Sequence, residues 1–386
     1  MMKLQTTILI FFTSAFTTLT CQVTFSEKTF EEAIAQAKNE SKYVMVDAYT
    51  DWCSWCKVMD KETFSEPVVG DFINPKLVST KINMEEGFGI DLAMKYRVAS
   101  YPQYLFFDGE GQLIGRLEGF IKPEPFMNAV GDQLNPSGFL PPTSDPMNFS
   151  AGYPEFLRNS YKKNKERTNP TQEDIQNFLA AQTDLTDEVS WGVISRFVNG
   201  GEYAIKTVEN RKVLTEKYGN KEVTAKLSAF LFSDVKMAIK ERNENMLEQA
   251  MKGADVMLGE EAESYKARYR LYYYQMTEDW TGYAEIASEI AKNPELNNSS
   301  MLNQMAWTIY EKSNDQTSVQ KALEWMKKVV ADEPGYAYLD TYAALLYKNG
   351  QKEEALDHAA RAIAAGEAEG VQTDDTMALL EKIKAL

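Results

Sequence analysis

The chain has 386 residues, 44% of them hydrophobic, and carries a formal net charge of −16 at pH 7. This length allows two domains, and the hydrophobic content is that of a soluble globular protein. The acidic charge, together with the lack of a basic patch interleaved with aromatic residues, excludes nucleic acid and anionic membrane surfaces as expected partners.

Residues 1–21 have the pattern of an export signal. Lys3 precedes an apolar run at 8–12, and small and hydroxyl residues follow up to Cys21. The run is too short for a permanent membrane helix, so we predict cleavage and a periplasmic or secreted protein. Lipid anchoring at Cys21 is the alternative. A lipoprotein signal has Leu three residues before the cysteine and a small residue just before it, and Thr18 and Thr20 match it poorly.

Residues 22–134 alternate strand and helix patterns, which predicts an α/β domain. A short edge strand at 23–25 and an amphipathic helix at 27–39 come first. The apolar strand at 43–49 leads directly into a turn that contains Cys53 and Cys56. Further along the chain we predict helices at 57–64, 67–72, 90–96 and 123–130, and strands at 77–82, 103–107 and 113–118, the last two joined by a hairpin turn at 108–111.

Cys53 and Cys56 are three positions apart at the predicted start of a helix. Unpaired N–H groups and the positive end of the helix dipole stabilise a thiolate there. The lowered pKa allows attack on disulfides near neutral pH, so we predict Cys53 as the nucleophile and Cys56 as the resolving thiol. Structural zinc is disfavoured, because the sequence has no second C-x-x-C or His pair to complete four ligands. A static structural disulfide remains an alternative to a redox pair.

The composition changes after residue 134. Prolines and small residues over 135–154 predict a linker, and 155–386 has helical patterns almost throughout. Ala322 and Ala355 are 33 residues apart, close to the period of a tetratricopeptide repeat. We predict an all-α domain at 155–386 with such repeats near 300–366, forming a solenoid; an irregular helical bundle is the alternative. The predicted helices lie at 155–167, 172–182, 187–197, 202–218, 223–242, 245–258, 261–276, 280–292, 300–313, 319–332, 337–348, 352–365 and 376–386.

The stretch 46–57 resembles the active-site segment of the thioredoxin superfamily. Within that superfamily it is most similar to the C-terminal periplasmic domain of the thiol:disulfide interchange reductor. The likeness continues at 63–68, 106–112 and 119–120 and covers about residues 40 to 130. It implies a thioredoxin fold, with a central mixed β-sheet flanked by helices, and a redox-active Cys53–Cys56 disulfide that needs no bound cofactor or metal.

The resemblance also implies roles for residues around the thiols. Cys53 is the exposed nucleophile, and Asp47 is the buried carboxylate that exchanges a proton with Cys56. Lys81 matches the lysine beside that carboxylate, and Pro102 matches the cis-proline opposite the thiols. The backbone of Tyr101 is then available to a substrate strand.

The residues themselves leave alternatives open at several of these positions. Asp47 could be a solvent-facing carboxylate at a strand end, and Lys81 a structural residue. Trp52 and Trp55 could serve in packing or in substrate contact, with Trp52 shielding one side of the thiol pair.

These features predict an exported protein-disulfide oxidoreductase with protein thiol and disulfide clients. Ser54 and Trp55 lie between the cysteines, where a histidine would favour an oxidant. Reduction potentials of such pairs range from about −270 mV to −120 mV, and we expect this pair toward the more reducing end. A membrane or periplasmic reductase would supply the electrons, and the helical region would bind a partner protein. The alternative is a scaffold whose helical repeats bind proteins and whose thioredoxin-like domain serves only in recognition.

Overall fold

The computed structural model describes residues 22–142 and 145–385. The predicted export signal and Cys21 lie outside these residues, so both assignments stay predictions. Within the described ranges, no helix is both long enough and apolar enough to cross a membrane.

Among the described residues, five strands form one mixed sheet in the order β1-β3-β2-β4-β5. β2 is the central strand, since it runs parallel to β3 and antiparallel to β4. The predicted α/β class is confirmed, and three strands have the bounds expected from the sequence. The strands are β1 (Phe25–Ser26), β2 (Tyr43–Tyr49), β3 (Leu77–Asn83), β4 (Gln103–Phe107) and β5 (Leu113–Glu118).

Helices cover both faces of this sheet because side chains alternate along the buried strand β4. Tyr104 packs edge-on against Phe64, with ring centroids 5.7 Å apart. Phe107 contacts Phe30 and Tyr96, at 4.9 and 5.1 Å, in the layer on the other face. The helices of this α/β domain are α1 (Phe30–Glu40), α2 (Ser54–Met59), α3 (Pro67–Ile73), α4 (Phe88–Tyr96) and α5 (Pro123–Gln133), with a π-helical turn, Asp60–Phe64, directly after α2.

The α/β domain belongs to a compact unit that continues beyond the predicted boundary at 154. This first unit contains the described residues up to 198, together with 212–220. In the described residues of the predicted linker, 135–142 and 145–154, the one regular element is a 3₁₀ turn, Pro136–Gly138. The linker is nevertheless packed, since the ring of Phe149 lies 4.7 Å from that of Phe88. The helices that follow in this unit are α6 (Glu155–Asn159), α7 (Gln172–Ala180) and α8 (Glu188–Phe197). Next along the chain, α9 (Glu202–Glu209) belongs to the second unit, and α10 (Arg211–Tyr218) belongs to the first unit except for Arg211.

A buried lysine joins the later part of this unit to the α/β domain. The Nζ atom of Lys95, on α4, donates hydrogen bonds to the backbone oxygens of Asp145 and Asn148, at 3.0 and 2.9 Å. It also forms an ion pair of 3.0 Å with Glu188 on α8. The three acceptors compensate the desolvated ammonium group, which would otherwise destabilise the fold. Residues 145–198 are thereby packed on the sheet domain.

The helix predicted at 155–167 ends at Asn159 because distant side chains bind the backbone there. The guanidinium group of Arg196 donates to the backbone oxygen of Ser160, at 2.6 Å. The hydroxyl of Ser160 donates to the oxygen of Leu157, at 2.7 Å. The predicted helix at 202–218 is likewise divided, and the side chain of Asn210 donates to the oxygen of Lys206 at the break.

The second compact unit contains residues 199–211 and the described residues from 221 onward, and it is helical. The predicted all-α region is thus confirmed. Ala322 and Ala355, from the predicted repeat, are fully buried, and Gly350 has φ +76°, which favours glycine, in the turn between two helices. The helices are α11 (Asn220–Lys240, whose first residue belongs to the first unit), α12 (Glu244–Leu258), α13 (Ala262–Thr277), α14 (Trp280–Lys292), α15 (Ser299–Lys312), α16 (Gln316–Asp332), α17 (Tyr336–Lys348), α18 (Lys352–Glu369) and α19 (Asp374–Lys384).

Replacing the buried lysine, Lys95→Met, should destabilise the first unit. Because Glu188 and two backbone oxygens lose their partner, we expect the free energy of unfolding to fall by about 3 kcal/mol. Urea unfolding followed by circular dichroism measures the change. The exposed Lys122→Met is the matched control and should leave the midpoint unchanged. Equal midpoints for the two variants would contradict this role of Lys95.

Candidate active site

The two cysteines lie at the start of α2, where the sequence predicts them. Cys53 is the N-cap residue, and its sulfur accepts a hydrogen bond of 3.0 Å from the backbone N–H of Cys56. The two sulfur atoms form a disulfide bond. This backbone donor and the helix dipole would stabilise a thiolate at Cys53 in the reduced form.

In the disulfide form Cys53 is only 3% exposed. The expectation of an exposed nucleophile is therefore not met in this oxidised state. The exposed groups are instead the tryptophans on either side, Trp52 and Trp55, whose exposed fractions are 56% and 57%. Large exposed apolar side chains beside a buried reactive bond are typical of surfaces that bind another protein.

Asp47 and Lys81 form an ion pair because β2 and β3 are aligned side by side. The parallel register places the two residues opposite each other, and the Nζ atom of Lys81 lies 2.9 Å from Oδ2 of Asp47. Asp47 is 1% exposed, and its Oδ1 atom has no hydrogen-bond partner among the described residues. The alternative of a solvent-facing carboxylate at this position is thus wrong.

Burial raises the pKa of Asp47 to about 6, and the nearby Lys81 ammonium limits the rise. Burial lowers the pKa of Lys81, but the charges of Asp47 and Asp60 outweigh this and leave that pKa raised. Lys81 also contacts the carboxylate of Asp60, at the start of the π-helical turn. Asp47 can therefore change its protonation state near neutral pH.

A cavity of about 320 Å³ lies beside this ion pair. Lys81 and Asp60 line it together with Cys53 and Cys56. The lysine that neutralises Asp47 therefore lines the same space as both sulfur atoms. Water in this space would give protons a route between the carboxylate and a thiol.

Tyr101 and Pro102 lie in the loop directly before β4. The Tyr101–Pro102 peptide bond is cis, and the oxygen of Pro102 accepts a hydrogen bond of 2.8 Å from the N–H of Gly119. The ring of Tyr101 contacts Trp52 edge-on, with centroids 5.9 Å apart. Burial raises the pKa of the Tyr101 hydroxyl, so it stays protonated near neutral pH. Trp55, on the other side of the disulfide, stacks on Phe120 at 5.9 Å.

Comparison with known proteins agrees with this geometry. Residues 30–134 match a family model described as a thioredoxin-like domain. The chain is 35% identical over 105 residues to thiol:disulfide interchange protein DsbD of Escherichia coli (strain K12). The aligned stretch covers 26% of this chain and 18% of that protein. The protein of the same name from Vibrio vulnificus (strain CMCP6) is 31% identical over 103 residues, 26% of this chain and 17% of that protein. Residues 30–134 form a thioredoxin-like domain.

The chain spans less than a fifth of the length of these two relatives. A solution structure described as a "putative disulphide-isomerase from Bacteroides thetaiotaomicron" is 34% identical, covers 30% of this chain and 94% of that one, and has a TM-score of 0.28.

Among the described residues of this chain, no three or more His, Cys, Asp or Glu side chains are grouped to hold a metal ion.

Sequence reasoning missed one residue of the thioredoxin-like domain that contacts the site. Glu85, after β3, is 3% exposed, and its Oε2 atom accepts a hydrogen bond of 2.9 Å from the indole N–H of Trp52. Its Oε1 atom binds the guanidinium group of Arg167, at 2.6 Å. Glu85 is at the carboxyl end of a strand parallel to β2, which was a signal for proximity to the thiol turn. Nothing in the sequence indicated Arg167 as its partner.

Lys163 makes a second connection of the same kind. Its Nζ atom lies 2.9 Å from Oδ2 of Asp51, two residues before Cys53, and also contacts Glu86. The other oxygen of Asp51 accepts a hydrogen bond of 3.1 Å from Asn83 at the end of β3. Two cations from the segment after α6 therefore bind the two acidic loops of the thioredoxin-like domain beside the disulfide.

Asp47→Asn should change how stability depends on pH. The folded protein holds the Asp47 proton up to about pH 6, whereas the unfolded chain releases it near the ordinary pKa of 3.8. The folded form therefore binds more protons between these values, and stability decreases as pH rises through this window. The shift in the pKa of Asp47 corresponds to a loss of about 3 kcal/mol in the free energy of unfolding across this window. The Asp47→Asn variant should not show this loss. Urea midpoints of the oxidised proteins from pH 4 to pH 8 measure this difference.

The matched control is Asp60→Asn, which removes the exposed carboxylate that contacts the same lysine. It should keep most of the wild-type slope. Parallel pH profiles for the wild type and Asp47→Asn would contradict a raised pKa at Asp47.

Proposed function

We propose that the protein is an exported thiol-disulfide oxidoreductase that reduces disulfides in client proteins through Cys53 and Cys56. The observation that carries this proposal is the disulfide at the start of α2, with Cys53 as N-cap residue beside the cavity that Lys81 shares with both sulfurs. The match to a thioredoxin-like domain supports the same chemistry. A purely static disulfide would gain nothing from a buried, titratable carboxylate at Asp47.

The reaction transfers two electrons from the protein dithiol to a client disulfide. The Cys53 thiolate attacks one client sulfur, so that a mixed disulfide forms and the other client sulfur leaves as a thiolate. Cys56 then loses its proton and attacks Cys53. The mixed disulfide breaks, the second client thiolate leaves, and the Cys53–Cys56 disulfide forms. The disulfide form described above is the oxidised product, and a reductant must restore the dithiol before the next cycle.

Asp47 is the proposed acceptor for the Cys56 proton. With a pKa of about 6 it is mainly ionised at neutral pH and can take up a proton there. Lys81 stabilises the ionised carboxylate and is a positioning residue. The two electrons pass directly from the protein sulfur atoms to the client sulfur atoms, so the proposed reaction needs no further cofactor.

The proposed direction is reduction of the client. Ser54 and Trp55 lie between the cysteines, and neither can stabilise the Cys53 thiolate as a histidine would. A less stabilised thiolate makes the disulfide form comparatively more stable, and the pair is then more reducing. The proposed electron donor is a membrane or periplasmic reductase.

The proposed client surface consists of Trp52, Trp55, Tyr101 and Phe120. Two stacked or edge-on aromatic pairs lie on either side of the disulfide, and the backbone at Tyr101 is the proposed site where an extended client segment pairs as an added strand. Aromatic side chains of this kind dominate binding energy at protein interfaces.

The helical second unit is proposed as a partner-binding region with tetratricopeptide-like repeats. The helix pairs α15–α16 and α17–α18 occupy the range predicted for them, and Ala322 and Ala355 are buried where these repeats need small residues. The predicted export signal would place the protein in the periplasm or outside the cell.

Cys53→Ser should abolish the reduction of insulin, because the attacking sulfur is gone. Cys56→Ser should instead accumulate mixed disulfides with client proteins, since Cys53 can attack but nothing resolves the product. Insulin turbidity and non-reducing gels of trapped complexes measure the two effects. The function would be ruled out if the wild type did not reduce insulin and the Cys56→Ser variant trapped no client.

The reduction potential of the Cys53–Cys56 pair should lie near that of thioredoxin, about −270 mV. The reason is the absence of a thiolate-stabilising histidine between the cysteines. Equilibration with glutathione or dithiothreitol buffers, followed by thiol alkylation, gives the value. A potential near that of strong oxidants, about −120 mV, would reverse the proposed direction.

A further inference from the structure

The acidic loops of the thioredoxin-like domain are held by two cations from residues 155–198 of the first unit. Lys163 and Arg167 are one turn apart, since the N–H of Arg167 donates to the oxygen of Lys163 at 2.9 Å. Their side chains therefore leave the same side of the segment. Lys163 forms ion pairs with Asp51 and Glu86, and Arg167 forms one with Glu85.

Two hydrogen bonds hold the guanidinium group of Arg167 in one orientation. Its Nε–H donates to the backbone oxygen of Lys162 at 3.1 Å, while Nη2 binds Oε1 of Glu85. Glu85 is almost completely buried, and Arg167 is the cation that pairs with its desolvated carboxylate. Because the other carboxylate oxygen accepts the indole N–H of Trp52, the charge of Glu85 strengthens that hydrogen bond.

Trp52 in turn contacts Tyr101, the residue before Pro102. The chain of contacts therefore runs from Arg167 through Glu85 to Trp52 and ends on one side of the proposed client surface. Trp52 is 56% exposed, and its indole ring is held by the hydrogen bond to Glu85 and the edge-on contact with Tyr101.

We propose that Arg167 is a positioning residue of the redox site: through Glu85 it holds the Trp52 indole against Tyr101 and so shapes the surface that a protein disulfide must contact to reach Cys53. The proposal rests on the function proposed above and adds that residues outside the thioredoxin-like domain determine how protein clients bind. A small disulfide needs only Cys53 and does not use this surface.

Arg167→Ala tests the proposal in the full-length protein. It should lower kcat/KM for insulin about tenfold, mainly through a higher KM, because the client surface is no longer held in place. The rate with oxidised glutathione should not fall. Arg167→Lys keeps the charge and should recover part of the loss.

Arg158→Ala is the matched control. Arg158 belongs to the same segment and binds Asp91 on α4, so its removal also takes away one ion pair from this packing contact. Within the described part of the chain it forms no hydrogen bond or ion pair with Glu85 or Trp52, and its removal should leave insulin reduction unchanged. Equal losses in Arg158→Ala and Arg167→Ala would mean that packing alone is responsible and would overturn the proposal.

A double-mutant cycle tests whether the two residues act through one another. Glu85→Ala should resemble Arg167→Ala, and the double variant should lose no more activity than either single one, because both changes release the same indole. Additive losses would show that Arg167 acts by another route.

An NMR measurement separates this proposal from the proposed function. The six tryptophans give indole N–H signals, and the Trp52 signal is the one lost in Trp52→Phe. Arg167→Ala should shift that signal and speed its exchange with water, whereas Arg158→Ala should not. If the wild type reduces no disulfide, the proposed function fails while this readout still tests the link. An unchanged Trp52 signal in Arg167→Ala would overturn the proposal.

Discussion

The alignment of β2 between β3 and β4 is the constraint on which the site depends. It places Asp47 opposite Lys81 on one side and opposite Tyr104 on the other. The carboxylate is thereby buried. One of its oxygens pairs with Lys81, and the other has no hydrogen-bond donor among the described residues. A one-residue shift of β2 would turn Asp47 to the other face of the sheet and separate it from the cavity beside the thiols.

A second buried carboxylate on the same edge of the sheet shows what a different environment does. Each oxygen of Glu85 has its own donor, Arg167 on one side and Trp52 on the other. Both oxygens of Glu85 are thus paired, whereas Asp47 has one oxygen without a partner among the described residues and a raised pKa. The same functional group is thus suited to proton transfer at one position and to holding a neighbour at the other.

Much of the α/β domain could be predicted because its signals are local. Apolar runs fix the strands, and adjacent parallel strands bring Asp47 and Lys81 together. The limits of the helices after residue 154 could not be predicted in the same way. Arg196 ends α6 through a hydrogen bond to Ser160, 36 residues away, and Lys95 binds Glu188, 93 residues away. Neither pairing leaves a periodic pattern in the sequence.

The same distinction explains why the candidate site was only partly predictable. Cys53, Cys56 and Trp52 lie within one short motif, so the sequence alone placed them together at the start of α2. Arg167 is the last residue of the helix predicted at 155–167, where a positive charge looks like an ordinary exposed side chain. Its significance comes from burial, because the Glu85 carboxylate that it pairs with is almost completely removed from water. The boundary drawn from composition therefore separated two parts of the chain that electrostatics holds together.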